Sequence, residues 1–152
     1  MSENAQLKVN ERGHLVVGGC DTVELAHKYG TPLYLYDEQF IRSRCREYLE
    51  EFGSRYPQVE IAYAGKAALT TGLARLMDQE GMGLDVASAG ELYTAIQAEF
   101  PAERIKVHGN YKSNLEYRMA LEAGVGRIVA DSLIELRQLD CWAQKMGKTA
   151  EI

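Results

Sequence analysis

Short apolar runs of strand length alternate along this chain with longer stretches whose apolar residues recur at helical spacing. The runs lie near 33–36, 59–65, 84–87, 104–108 and 127–131, and a helical stretch follows each. Three of the junctions carry Ser-x-x-Glu: Ser88 with Glu91, Ser113 with Glu116, and Ser132 with Glu135. A serine oxygen there can accept from a free N–H of the first helical turn, while the glutamate three residues on reaches back, so each is a capping-box helix start placed just after a strand. Leu92, Ala95 and Ile96, and then Leu115, Met119 and Leu121, supply the apolar faces of two of these helices. Asp37 caps a helix through about Glu51, and a further helix runs from near Leu69 to Gln79. Two helices return to their next strands through Gly81-Met82-Gly83 and Gly124-Val125-Gly126, where a glycine can take the left-handed C-terminal cap. A strand, helix, strand alternation of this kind predicts parallel strands joined by right-handed crossovers.

The fold class that follows is α/β, a parallel (β/α)8 barrel present as an incomplete barrel of about five βα units, since a closed barrel needs about 250 residues. The last residues, 148–152, read as the first half of a sixth strand, which leaves an open edge. Ahead of the repeat, 14–20 reads as a short strand and 22–29 as a helix closed by Gly30, with Pro32 marking the change. Residues 1–30 are therefore expected to form a separate strand and helix packing with a C-terminal β domain absent here, and 31–152 the N-terminal part of the barrel. The Gly-x-Gly returns follow helices, whereas a dinucleotide fingerprint follows a strand and opens a helix, so they do not mark such a site.

With 46% hydrophobic and 26% charged residues in 152, the chain has the composition of a folded globular domain. Its net charge of −5 and the lack of any Lys/Arg block give no electrostatic footprint for nucleic acid or an anionic membrane, and point to small-molecule chemistry. No apolar core of a signal peptide lies in 1–13 and no run has membrane-spanning length, so a cytoplasmic location is expected. Cys20, Cys45 and Cys141 are odd in number and widely spaced, which suits neither a disulfide framework nor a metal cluster, and no metal is expected. His14 and His27 read as surface residues.

The leading candidate for chemistry is Lys66, at the end of the run Val59-Glu60-Ile61-Ala62-Tyr63-Ala64-Gly65-Lys66. The carboxyl ends of parallel strands are where such folds place their reacting groups. A lysine amine acts as a covalent catalyst when apolar walls or a nearby cation keep it partly neutral, and the preceding residues supply such walls. Asp85, inside an apolar strand, needs a partner if it is buried. Glu91 is accounted for by the capping box and is equally open to a functional role. His108 ends a strand beside Gly109 and Asn110.

Four separated stretches, in order, resemble the pyridoxal-phosphate-dependent diaminopimelate decarboxylases. They are Gly18-Gly19-Cys20-Asp21 on through Gly30-Thr31-Pro32-Leu33-Tyr34; Tyr63-Ala64-Gly65-Lys66-Ala67; Gly83-Leu84-Asp85-Val86-Ala87-Ser88-Ala89-Gly90-Glu91-Leu92; and His108-Gly109-Asn110-Tyr111-Lys112-Ser113. The resemblance implies an alanine-racemase-like barrel in which Lys66 condenses with the aldehyde of pyridoxal 5'-phosphate. It implies that Asp85 and His108 line the cofactor side and Glu91 the substrate end, Asp85 and Glu91 lying 19 and 25 residues after Lys66. The expected reaction is decarboxylation of meso-2,6-diaminoheptanedioate to L-lysine, in a homodimer. An ornithine or arginine decarboxylase, an amino-acid racemase or a non-catalytic fragment are the alternatives. The chain departs from the common Ala-Val-Lys-Ala-Asn pattern at Gly65 and Ala68. The family's phosphate loop, pyridine partner, carboxylate-binding arginine and cross-dimer cysteine belong to a C-terminal half that this sequence does not contain.

Overall fold

The computed structural model of the protein describes residues 7–152. They fall into two compact units, one running to Glu50 and one from Glu51 to Ile152. The first holds a three-stranded antiparallel sheet of β1 (Lys8–Val9), β2 (Leu15–Val17) and β3 (Cys20–Asp21), then α1 (Thr22–Tyr29) and the start of α2 (Glu38–Gly53). The single strand expected over 14–20 is a hairpin instead. Gly18 and Gly19 both have positive φ, 56° and 79°, the backbone that a two-residue turn between antiparallel strands demands and that glycine adopts without strain. Asp21 ends the hairpin and caps α1, accepting from the N–H groups of Val23 and Glu24, while its other oxygen accepts from Asn10 (2.7 Å) and bonds His14 Nδ1 (2.9 Å). His14 is thus a partner of Asp21, its side chain 31% exposed. Burial alone would raise the Asp21 carboxyl, but the bonds from His14, Glu24, Asn10 and Val23 outweigh it and bring its pKa down to about 2.

The second unit repeats strand and helix four times: β4 (Ala62–Ala64) and α3 (Thr71–Gln79), β5 (Gly83–Val86) and α4 (Ala89–Gln97), β6 (Ile105–Val107) and α5 (Asn114–Ala123), β7 (Arg127–Ile128) and α6 (Leu133–Met146). The strands are parallel in the order β4-β5-β6-β7. A spatial order that follows chain order without reversal is singly wound, which distinguishes a barrel segment from a doubly wound sheet with its switch point. Leu84, Val86, Ile105, Val107 and Ile128 alternate onto one face and are buried in the core with Leu73, Met77, Leu92, Tyr117 and Leu139 of the helices. Residues one place off that register, Ala62, Ala64, Gly83, Asp85 and Lys106, line the other face.

Four of the five expected βα units therefore have their strand in the sheet. The fifth has its helix, α2, whose first turn Asp37 caps through Phe40 N–H (3.0 Å), but 33–36 forms no ladder with any described segment and is not a strand. Helical bonds are made within a segment, whereas a strand exists only where a second segment meets it. Residues 148–152 form no strand, but Ile128 N–H of β7 donates to the Glu151 carbonyl at 2.8 Å. The Gly-x-Gly return before β7 divides its work. Gly124 takes the left-handed cap of α5 at φ 68°, and at Gly126 a Cβ would overlap the Glu103 carbonyl. Among the described residues no helix is long and apolar enough to cross a membrane.

Candidate active site

The carboxyl ends of β4, β5 and β6 form one edge, and the four residues singled out from sequence lie along it. Lys66 sits on a 3-10 turn, Gly65–Ala67, directly after β4. The turn is held from behind by Tyr63, whose hydroxyl donates to the Ala68 carbonyl at 2.9 Å, and is followed by Thr70, which caps α3. Lys66 is exposed, and no hydrogen bond or ion pair among the described residues engages its amine.

Gly65 sets the turn close against β5 and α4. A Cβ there would stand 3.1 Å from the Asp85 carbonyl, 3.2 Å from Leu69 Cδ2 and 3.3 Å from Glu91 Oε2. Only a residue without a side chain fits this approach unless its neighbours give way. The Val of the common pattern would need Leu69 and Glu91 placed differently. Asp85 pairs by register with Ala64 on one side and Lys106 on the other, half-buried on the face away from the helices. Lys106 turns its ammonium to Glu60 (2.7 Å) and leaves Asp85 without it. His108 is exposed one residue beyond β6, and its N–H donates to the Val86 carbonyl at 2.8 Å, which extends the ladder and keeps it beside Ala87.

Glu91 is committed to its helix start. Its N–H donates to Ser88 Oγ (3.2 Å), Oε1 accepts from that hydroxyl (3.1 Å), and Oε2 accepts from Ala87 N–H (2.9 Å). The expected reciprocal bond to the cap residue's own N–H is made only at Ser113 and Glu116. At Ser88 and Ser132 the glutamate takes the N–H one residue earlier, of Ala87 and Asp131, because the chain leaves the strand fully extended there, with cap φ near −152°.

The pairing of two residues beside this edge had no local signal in the sequence. Lys112 and Glu135 are buried, their side chains 2% and 5% exposed, and their charges meet at 3.1 Å. Lys112 Nζ also donates to the Gly109 carbonyl (2.9 Å), while Glu135 accepts from the N–H groups of Lys112 (2.9 Å) and Asp131 (2.8 Å). Burial would push the Glu135 carboxyl up; those two N–H groups and the Lys112 ammonium hold it below the ordinary carboxylate range. The partners lie 23 residues apart, so neither strand nor helix periodicity could pair them. A cavity of about 370 Å³ between α6 and 147–152 is lined by none of the edge residues.

A singly wound βα sheet, with a lysine unengaged among the described residues and the carboxylates of Asp85 and Glu91 near the carboxyl ends of its strands, has the architecture of part of a (β/α)8-type barrel. Residues 38–151 match the family described as pyridoxal-dependent decarboxylase, pyridoxal binding domain. The chain belongs to that family, whose cofactor is pyridoxal phosphate. It is 51% identical over 133 residues to a diaminopimelate decarboxylase of Bacillus methanolicus, covering 88% of this chain and 31% of that protein. It is 46% identical over 143 residues to the Bacillus subtilis (strain 168) diaminopimelate decarboxylase, covering 94% and 33%. Among solved structures, diaminopimelate decarboxylase from M. jannaschii in complex with L-lysine superposes with a TM-score of 0.86 at 34% identity, covering 99% of this chain and 35% of that one. The chain spans about a third of the length of the curated relatives it matches.

Proposed function

We propose that this chain is the N-terminal part of a pyridoxal-phosphate-dependent diaminopimelate decarboxylase, which converts meso-2,6-diaminoheptanedioate to L-lysine as a cytoplasmic homodimer. The observation that carries the reading is the placement of Lys66: an amine without a partner among the described residues, on a turn pinned between Tyr63 and Gly65, at the carboxyl edge of the sheet. The edge fits a planar aldehyde-bearing group. Ala62, Ala64 and Gly83 offer a floor of small residues in register below the lysine, and Gly65 removes the side chain nearest to it.

Lys66, Asp85 and His108 would hold the cofactor, and Glu91 would face the substrate. When bound, the cofactor supplies an electron sink for the pair released as carbon dioxide departs. The protein's part is positional and electrostatic. Lys66 Nζ has to be neutral to bond a carbonyl carbon, and afterwards can carry a proton to or from the reacting carbon. Tyr63 and Gly65 fix the turn from which the Lys66 side chain departs. Asp85 places a carboxylate on the same face as the floor, and Glu91, already anchored by Ala87 N–H, keeps its carboxylate against the lysine turn. Residues 1–30 would pack with a β domain supplied by the remainder of the enzyme, and 31–152 would open its barrel.

The test is borohydride reduction of the full-length protein after addition of pyridoxal phosphate, followed by peptide mapping, with turnover measured on meso-2,6-diaminoheptanedioate, ornithine and arginine. The reading expects one label, at Lys66, lost in Lys66→Ala, and release of carbon dioxide from the first substrate. Labelling elsewhere, or turnover of ornithine or arginine in its place, overturns it.

A further inference from the structure

Two of the three Ser-x-x-Glu glutamates divide their oxygens between two tasks. Glu116 Oε2 closes its own capping box on Ser113 N–H and Oγ, both at 2.7 Å, while Oε1 accepts at 3.2 Å from Ala89 N–H, the first helical residue of the preceding unit. Glu135 Oε2 accepts from Asp131 N–H in its own loop, while Oε1 accepts from Lys112 N–H in the loop before it. The link runs one way along the edge: α6 holds the loop after β6, and α5 holds the turn after β5. The first of these loops begins with His108, and the second leads into α4, whose first turn carries Glu91. Helix capping needs one acceptor oxygen and accepts glutamine as readily as glutamate. The second oxygen is therefore surplus to the helix and serves the neighbouring unit.

We infer that Glu116 and Glu135, the latter with Lys112, are positioning residues that latch successive βα loops together and so fix the edge on which Glu91 and His108 stand. The catalytic part of this inference rests on the function proposed above; the latch itself does not. Glu116→Gln isolates it. The amide keeps one carbonyl oxygen for the cap and presents an NH2 group, which cannot accept, to Ala89 N–H. No charge is left buried, because Glu116 pairs with no cation among the described residues, so the variant is expected to fold.

Hydrogen exchange resolved by residue, on the full-length protein without cofactor, reads the latch directly. Glu116→Gln should speed exchange at Ala89 about tenfold or more, the loss of a bond to a charged acceptor, and leave Ser113, Leu84 and Ile105 unchanged. Glu135→Gln should do the same at Lys112, and Lys112→Met/Glu135→Gln serves if the lone ammonium of Glu135→Gln prevents folding. In the cofactor-loaded enzyme Glu116→Gln should lower kcat about tenfold with KM within twofold and labelling at Lys66 intact. Unchanged exchange at both Ala89 and Lys112, or a uniform loss of protection that includes Leu84 and Ile105, overturns the latch; unchanged kcat with faster exchange overturns its positioning role. Absence of label at Lys66 in the unaltered enzyme overturns the proposed function, while the exchange result still decides the latch.

Discussion

Replacing Lys112 by Met tests the electrostatics of the buried pair most sharply. The substitution keeps the length of the stem and removes the ammonium, leaving the Glu135 carboxylate 5% exposed with two backbone N–H donors, from residues 112 and 131. Removing one partner of a buried ion pair typically costs about 3–5 kcal/mol, because the remaining charge has lost water and gained nothing in exchange. The two N–H bonds persist, so the low end, about 3 kcal/mol, is expected. At roughly 4 °C per kcal/mol for a cooperative unit of this size, the thermal midpoint should fall by roughly 12 °C. Lys112→Met/Glu135→Gln removes both charges, and should recover most of that loss, so the two substitutions are far from additive.

The sign of the pH dependence discriminates further. In the native protein the folded Glu135 carboxyl lies below its ordinary range, so its contribution is present above the unfolded value near 4.5 and is lost as pH falls through the folded one. In Lys112→Met burial is opposed by fewer groups and the folded carboxyl titrates higher. Protonation then relieves the variant before it affects the native protein. Urea unfolding at pH 7 and pH 5 should show the stability gap narrowing as pH falls. A gap that stays constant, or a double variant as unstable as Lys112→Met, would refute the reasoning.

Three further outcomes follow from individual contacts. Tyr117 is buried, its hydroxyl has no partner among the described residues, and burial together with Glu135, Glu116 and Tyr111 pushes its pKa up to about 12; Tyr117→Phe should stabilise by about 1 kcal/mol in urea unfolding, and a loss of stability would show that the hydroxyl is bonded. Leu84, 0% exposed in a central strand, should cost about 3 kcal/mol as Leu84→Ala by the same measurement. Asp21 titrates at about 2 when folded, so its bonds to His14, Asn10 and the α1 amides support the first unit above pH 4 and are lost as pH falls toward 2; in Asp21→Asn an acid titration followed by far-UV circular dichroism should lack that part of the transition.

Local signals carried most of the fold. Each Ser-x-x-Glu marked a helix start because a cap is satisfied within four residues, and the strands before them were bounded by those caps. The segment 33–36 has the same apolar character as 84–87 but no ladder, since pairing depends on a distant segment that its own residues cannot specify. Gly18-Gly19 is the local signal of a two-residue hairpin, and it divides 14–20 between two strands. At the candidate site the sequence located Lys66 and His108 at strand ends, Asp85 within a strand and Glu91 at the helix start after it, and the parallel order brings these along one edge. It did not reveal that Lys112 closes on Glu135, because that pairing depends on atoms placed by the tertiary fold.

The sheet keeps its two faces for separate purposes, and this bears on how the candidate site can be studied. Leu84, Val86, Ile105, Val107 and Ile128 all point toward the helices, so the apolar burial that stabilises the unit lies on that side. Asp85 and Lys106 alternate onto the other, where both keep some exposure and neither carbon stem is needed to fill the core. Lys66 and His108 stand beyond the strand ends, exposed, and contribute nothing to the helix-facing core. Substitutions away from packing and buried polar contacts usually change stability by less than about 0.5 kcal/mol. Chemistry placed on this edge can therefore be removed at Lys66 and His108 without dismantling the fold that presents it, but not at Gly65, where the turn, the β5 backbone and Glu91 share one small volume, nor at Glu91, whose carboxylate holds the start of α4.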